Sequence, residues 1–147
     1  MLAYVAVVTI PLSIVDCREH RLPNRLVLPG MALAVTLGLA QVLAEGEPTS
    51  LICGAVWFAL FLIFALVGGM GMGDVKLAAV LGATSGFLGW QVALAALMSA
   101  FVLGGLGAVI QRVSTRLRHK PRTSHIPFGP YMLAGFWVCA ALALLSA

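Results

Sequence analysis

Charge is scarce in this sequence. Asp, Glu, Lys and Arg make up 10% of its 147 residues, where a soluble globular domain carries about 25%, so a water-soluble fold of this size would lack the ionisable side chains to cover its surface. Cysteine is scarce too. Cys17, Cys53 and Cys139 are widely separated, odd in number and form no CxxC pair, which implies neither a zinc site nor a disulfide framework. Cys53 and Cys139 read as small apolar packing residues. The three histidines, His20, His119 and His125, show no ligand spacing, so neither a metal nor another cofactor is expected. There is no internal repeat of 20 to 50 residues. The opening "MLAYVAVVTIPLSIVDC" has no basic region ahead of its apolar stretch, so it is not expected to be removed as a signal peptide.

What the chain has in abundance is hydrocarbon. Hydrophobic residues make up 61% of it, and its mean hydropathy is +1.05. Apolar segments run from Leu2 to Val15, Leu26 to Leu43, Leu51 to Val67, Val75 to Gly89, Val92 to Ile110 and Tyr131 to Ala147. In lipid, each must be helical to satisfy its own backbone. The expectation is an all-α, polytopic membrane protein with about six transmembrane helices, forming one domain over residues 1–147. The first and fourth segments are short for about 30 Å of hydrocarbon. Their ends must therefore use flanking residues, tilt little, or be shielded by the protein itself. Gly82 and Gly86 form a small-xxx-small pair, and Gly104, Gly105 and Gly107 thin the fifth segment; both patterns predict close helix packing.

The few charges fix an orientation. Arg18, Arg21 and Arg25 lie between spans one and two, Lys76 follows span three, and Arg112, Arg116, Arg118, Lys120 and Arg122 lie between spans five and six. These are all nine basic residues, and with six alternating crossings they fall on one side. Basic residues collect in cytoplasmic loops, so the N-terminus is expected outside and these loops inside. The opposite side receives the "AEGEPTS" loop, with Glu45 and Glu47, and the "GFLGWQ" turn. The net charge of +4 then reflects topology and attraction to anionic lipid headgroups, and calls for no nucleic acid.

Within this frame two carboxylates stand out, because ionisable groups at membrane depth cost about 2.5 to 3.5 kcal/mol on insertion scales. Asp16 directly follows span one and Asp74 directly precedes span four, so the topology delivers both to the cytoplasmic boundary. Singly, each has a structural reading. Asp74, after a glycine-rich turn and before an apolar helix, fits an N-cap. Asp16, at the negative pole of its helix, fits a snorkelling residue paired with Arg18 or Arg21. As a pair they acquire chemistry: two carboxyls sharing a proton provide a general base to activate water and a general acid for the leaving group. The helix poles make Asp74 the ionised base and Asp16 the proton carrier. Pro23 breaks the chain and Asn24 opens the next helix, so "LPNR" can fold back toward the membrane. Gly68, Gly69, Gly71 and Gly73 allow the close backbone approach that an extended substrate needs, or simply a tight turn.

At these residues the chain resembles type IV prepilin peptidases, bacterial members of the GxGD aspartyl proteases, and looks most like short forms consisting of the peptidase portion alone. The likeness is carried by "DCREHRLPNRL" (Asp16 to Leu26), "GMGDVKLAAVLG" (Gly71 to Gly82) and "IPFGPYM" (Ile126 to Met132). Leu22 stands where isoleucine is commoner. The resemblance implies that Asp16 and Asp74 form the catalytic pair and cut the basic leader from prepilin or pilin-like substrates at the cytoplasmic face of the inner membrane. Longer relatives add paired CxxC motifs and methylate the new N-terminus; without such pairs, peptidase activity alone is expected here. Pro127 and Pro130 would set the entry of span six and bring Phe128 and Gly129 near the site, or make a plain helix start. Lys76 would tune Asp74 or snorkel to headgroups. The rival readings are a small ion or proton transport component and a catalytically idle assembly factor of a pilus or secretion system.

Overall fold

A chain this apolar must pair its backbone within each segment. The computed structural model describes residues 1–19, 24–67, 71–118 and 128–146. Among them it contains six helices and no strand: α1 (Leu2–Glu19), α2 (Asn24–Glu45), α3 (Thr49–Leu66), α4 (Met72–Gly86), α5 (Trp90–Arg118) and α6 (Gly129–Ser146). Three stretches, Leu26–Glu45, Thr49–Leu66 and Trp90–Gly107, are long and apolar enough to cross a membrane, while Leu2–Asp16 and Gly129–Leu145 are shorter apolar helices. The architecture is that of a helical membrane protein.

Helix ends differ from the apolar boundaries in an informative way. α1 continues past its hydrocarbon to Glu19, so Asp16 lies inside the last turns of the helix rather than after it. α4 begins at Met72, which puts Asp74 inside its first turn. α5 runs on through Arg112, Arg116 and Arg118, because arginine is a good helix former and continues the helix once the apolar stretch ends. Asn24 is the first described residue of α2, and Pro23 before it lies outside the described residues.

The short fourth segment is explained by its surroundings. Fifteen residues span about 22 Å, too little for a bilayer core of about 30 Å, but α4 does not face lipid alone. Eleven of its fifteen residues are buried, against 22% of the apolar stretches of α2 and α3, and α2, α3, α5 and α6 all pack on it. It is the axis of the bundle. Lipid offers little hydrophobic drive between helices, so close packing has to hold them together, and the glycines show how. A β-carbon on Gly82 would lie 2.6 Å from Trp57 Cγ and 2.8 Å from the Cys53 carbonyl oxygen, and one on Gly86 would lie 2.7 Å from Ser50 Cα. From the α3 side, one on Gly54 would lie 3.2 Å from the Ala79 carbonyl oxygen. The hydroxyls buried on α4 are satisfied locally, Thr84 Oγ1 donating to the Val80 carbonyl at 2.6 Å and Ser85 Oγ to that of Leu81 at 2.7 Å.

A second seam joins α5 to α6. Gly104 lies against the Phe128 ring and Gly107 against the Tyr131 ring, and a β-carbon on Gly135 would lie 2.8 Å from the Ala100 amide nitrogen. A β-carbon on Gly105 would meet nothing within 4 Å among the described residues; among them, the expectation that all three α5 glycines serve packing holds for two. α1 is tied to α2 by the Tyr4 hydroxyl, which donates to the Leu26 carbonyl. It is tied to α6 by Trp137, whose Nε1–H donates to Thr9 Oγ1 at 2.9 Å. Leu12, Val75, Leu81, Met132 and Phe136 fill the space between.

Candidate active site

Three helix ends meet at one place. Phe128 accepts the first hydrogen bond of α6, from the Met132 amide at 3.2 Å, so Gly129 and Pro130 are the first two residues of that helix. The N–H groups of a helix's first turn have no partner within the helix. Pro130 has none to satisfy, while the Gly129 amide needs an acceptor outside the helix. It finds Asp16: the Gly129 N–H donates to Asp16 Oδ2 at 3.1 Å, across 113 residues of sequence. A carboxylate from the end of α1 thus caps the start of α6.

Asp74 arrives from the other direction. It is the third residue of α4, behind Gly71 as N-cap, whose backbone is extended at φ −78°, ψ 147°. One carboxyl oxygen turns back along its own helix: a β-carbon on Gly71 would lie 3.6 Å from Asp74 Oδ2. The other, Oδ1, is buried and has no hydrogen-bond partner among the described residues. Asp16 and Asp74 are 4% and 8% exposed. The point where a β-carbon on Gly129 would sit is 2.7 Å from Asp16 Oδ2 and 3.7 Å from Asp74 Oδ1. Two acidic side chains 58 positions apart in the sequence therefore face a single small volume, and their separation cannot exceed the sum of those two distances. Buried polar atoms are normally paired, so an orphaned carboxyl oxygen beside a second carboxylate marks a place built for something other than stability.

Phe128 anchors this corner. Its ring centroid lies 6.0 Å from that of Phe61 and 6.3 Å from that of Phe101, and it packs on Gly104. Sequence reasoning brought Phe128 and Gly129 near the site through their prolines. It missed Gly104, Phe61 and Phe101, and the one available signal, the missing side chain at Gly104, read as general helix packing.

The other expected residues are dispersed. Gly71 and Gly73 flank the start of α4, exposed and half-buried respectively. Lys76 is half-buried and follows Asp74 by two positions, about 200° around the helix, which turns it away from the Asp74 carboxyl. Asn24 is the first residue of α2. Arg21, Pro23, Gly68, Gly69 and Pro127 lie outside the described residues. Among the described residues no group of His, Cys, Asp or Glu could hold a metal ion. The structure also bears on the single-residue readings. Asp16 is buried inside the bundle instead of snorkelling outward, and Asp74 is not the N-cap of α4, a position held by Gly71.

Residues 3–109 match the type IV leader peptidase family. The chain belongs to that family. Among its relatives, a prepilin leader peptidase/N-methyltransferase of Pseudomonas putida is 35% identical over 135 residues, covering 86% of this chain and 44% of the relative. The protein of the same name from Stutzerimonas stutzeri is 36% identical over 134 residues, with the same coverage, and that of Pseudomonas aeruginosa is 35% identical over 136 residues, again with the same coverage. The chain spans less than half the length of these curated relatives. No solved structure matches it. Asp16 and Asp74 both fall within the matched residues, whereas Gly129 lies beyond them.

Proposed function

We propose that this chain is a membrane aspartyl endopeptidase that removes the leader peptide of prepilin-like proteins, with Asp16 and Asp74 as its catalytic pair. The observation that carries the reading is the convergence of both carboxyls within 3.7 Å of the point above Gly129, in a chain of the leader peptidase family. Two carboxyls this close in apolar surroundings hold one proton between them and act as a unit. The ionised member takes a proton from water as the water oxygen bonds to the scissile carbonyl carbon, and the protonated member donates to the carbonyl oxygen. On collapse the C–N bond breaks, the leaving nitrogen takes a proton, and the hydroxyl proton of the intermediate returns to the pair. One water is consumed, giving a carboxyl and an amine.

The proposed setting is the bacterial inner membrane, crossed six times by a single domain with the N-terminus outside. With six alternating crossings all nine basic residues would fall on one side, which supports this reading; Asp16 and Asp74 would then lie at the cytoplasmic face, where a basic leader would reach them while the substrate's apolar stem packs among the spans and lipid. The activity proposed is leader cleavage. Gly71, Gly73, Asn24, Pro23 and the segment from Pro127 to Pro130 would shape the path of the substrate, and Lys76 would reach lipid headgroups.

The test is incubation of the protein, reconstituted in lipid, with a full-length prepilin. Asp16→Asn and Asp74→Asn are each expected to lower the cleavage rate by about 100-fold or more. Cleavage that persists in both variants overturns the assignment. Absence of cleavage by the wild type, with ion or proton flux in the same vesicles, would favour transport instead.

A further inference from the structure

The Asp16 carboxylate sits near the end of α1, where the helix's own negative pole disfavours an anion. Yet the bond it makes is to the start of α6, where a positive pole favours one. Hydrogen bonds to an ionised oxygen are about twice as strong as neutral ones. Asp74 is placed differently: its Oδ1 is buried and without a hydrogen-bond partner among the described residues. A buried oxygen in that position is costly as an anion, but as O–H it becomes a donor aimed at whatever enters the shared volume.

We propose that the backbone amide of Gly129 is a third, positioning member of the site. It holds Asp16 as the ionised carboxylate that activates water and leaves Asp74 to carry the proton. By lacking a β-carbon, Gly129 also keeps open the volume that both carboxyls face. This reverses the assignment expected from the helix poles of α1 and α4, because that expectation could not include the pole of α6. It rests on the peptidase reading above. The first methyl group at position 129 would lie 2.7 Å from Asp16 Oδ2, closer than carbon and oxygen tolerate, so alanine must displace either the carboxylate or the amide that holds it.

Phe128 completes the device. Packed on Gly104 and against Phe61 and Phe101, it fixes the residue immediately before Gly129, so the amide cannot drift from Asp16 without moving an aromatic cluster. The other charged residues on the helices around the pair are Arg18 and Glu19 on α1, Arg25 and Glu45 at opposite ends of α2, and Lys76 on α4. α6 carries none, and on α5 the first is Arg112. All of them are common to every variant below.

The experiment is the pH profile of prepilin cleavage by the reconstituted protein. Losing a hydrogen bond to the ionised form makes Asp16 easier to protonate, so in Gly129→Ala the acidic limb moves to higher pH, by about one to two units, and the maximal rate falls about 10- to 100-fold. Gly135→Ala is the control: it lies on the same helix, and its β-carbon would lie 2.6 Å from Ser99 Oγ, so it lowers thermal stability but leaves the acidic limb in place. Gly104→Ala displaces Phe128 from outside the carboxyl pair and moves the limb in the same direction as Gly129→Ala. It carries the test if Gly129→Ala does not fold. An acidic limb unmoved in Gly104→Ala and, where it folds, in Gly129→Ala overturns the proposal. If Asp16→Asn and Asp74→Asn still abolish cleavage, the peptidase reading stands without it; if both retain cleavage, both fall.

Discussion

Replacing Gly104 with alanine adds one methyl group on α5, several residues of packing away from either carboxyl, and is expected to disable the site. A β-carbon at Gly104 would lie 2.5 Å from Phe128 Cζ and 2.9 Å from Cδ2. Phe128 Cε2 would be nearer still, and carbon atoms rest at about 3.5 to 4.0 Å, so the ring must withdraw by about 1.5 Å or more. It has little freedom to do so, with Phe61 and Phe101 on other sides and those two rings 5.5 Å apart. Crowding of this kind costs about 1 to 3 kcal/mol, and the easiest relief is a shift of Phe128 together with the start of α6. A shift of 1 Å there carries the Gly129 amide away from Asp16, and misplacement on that scale can lower a rate by about 100-fold. The assay is kcat/KM for a full-length prepilin in proteoliposomes, with thermal unfolding in detergent measured alongside. Gly105→Ala, one residue on and facing nothing within 4 Å among the described residues, should match wild type in both. Should Gly104→Ala keep kcat/KM within about twofold of Gly105→Ala, the chain of contacts from α5 through Phe128 to Asp16 does not govern the site, and the reasoning fails.

Two further substitutions separate fold from chemistry. Gly82→Ala would press a methyl group against Trp57 and the Cys53 carbonyl oxygen, where the backbone of α3 cannot yield, and is expected to lose about 1 to 3 kcal/mol of stability, read as a lower unfolding temperature and reduced yield. Trp137→Phe removes the 2.9 Å bond to Thr9 Oγ1, a loss of about 0.5 to 1.5 kcal/mol, and should leave kcat unchanged, since neither residue touches the carboxyl pair.

Much of the site is legible in the sequence because membrane topology works as long-range information. Counting crossings assigns a side to every loop, and two residues that share a side share a surface, which is how Asp16 and Asp74 could be paired while 58 positions apart. Close packing at Gly82 and Gly86 was legible as a small-xxx-small pattern, though not that α3 would be the partner. What topology cannot supply is contact at the level of single atoms. Nothing local to "FGP" says that the Gly129 amide will choose a carboxylate on α1, and nothing local to Gly104 distinguishes it from Gly105, which packs on nothing among the described residues. The central position of α4 was hidden as well. In an apolar chain a buried helix and a lipid-facing one have the same composition, and only the shortness of its apolar segment pointed to shielding by neighbours.

The helix ends account for how such a site can exist in a chain with so few charges. An isolated carboxylate in hydrocarbon costs several kcal/mol, and placing two together adds repulsion. Asp74 lies in the first turn of α4 and Asp16 meets the first residue of α6, so each carboxyl has a positive helix pole beside it. Both α4 and α6 begin with small or proline residues at this point, Gly71, Gly73, Gly129 and Pro130, so their N-termini come close without side chains filling the gap. The Phe61, Phe101 and Phe128 rings brace the corner from the apolar side. The remaining cost is concentrated in one atom, Asp74 Oδ1, buried with no hydrogen-bond partner among the described residues. Under the proposed reaction, Oδ1 in its protonated form would gain its missing hydrogen bond by donating to the carbonyl oxygen of an arriving peptide, so energy withheld from the fold would become available to the reaction.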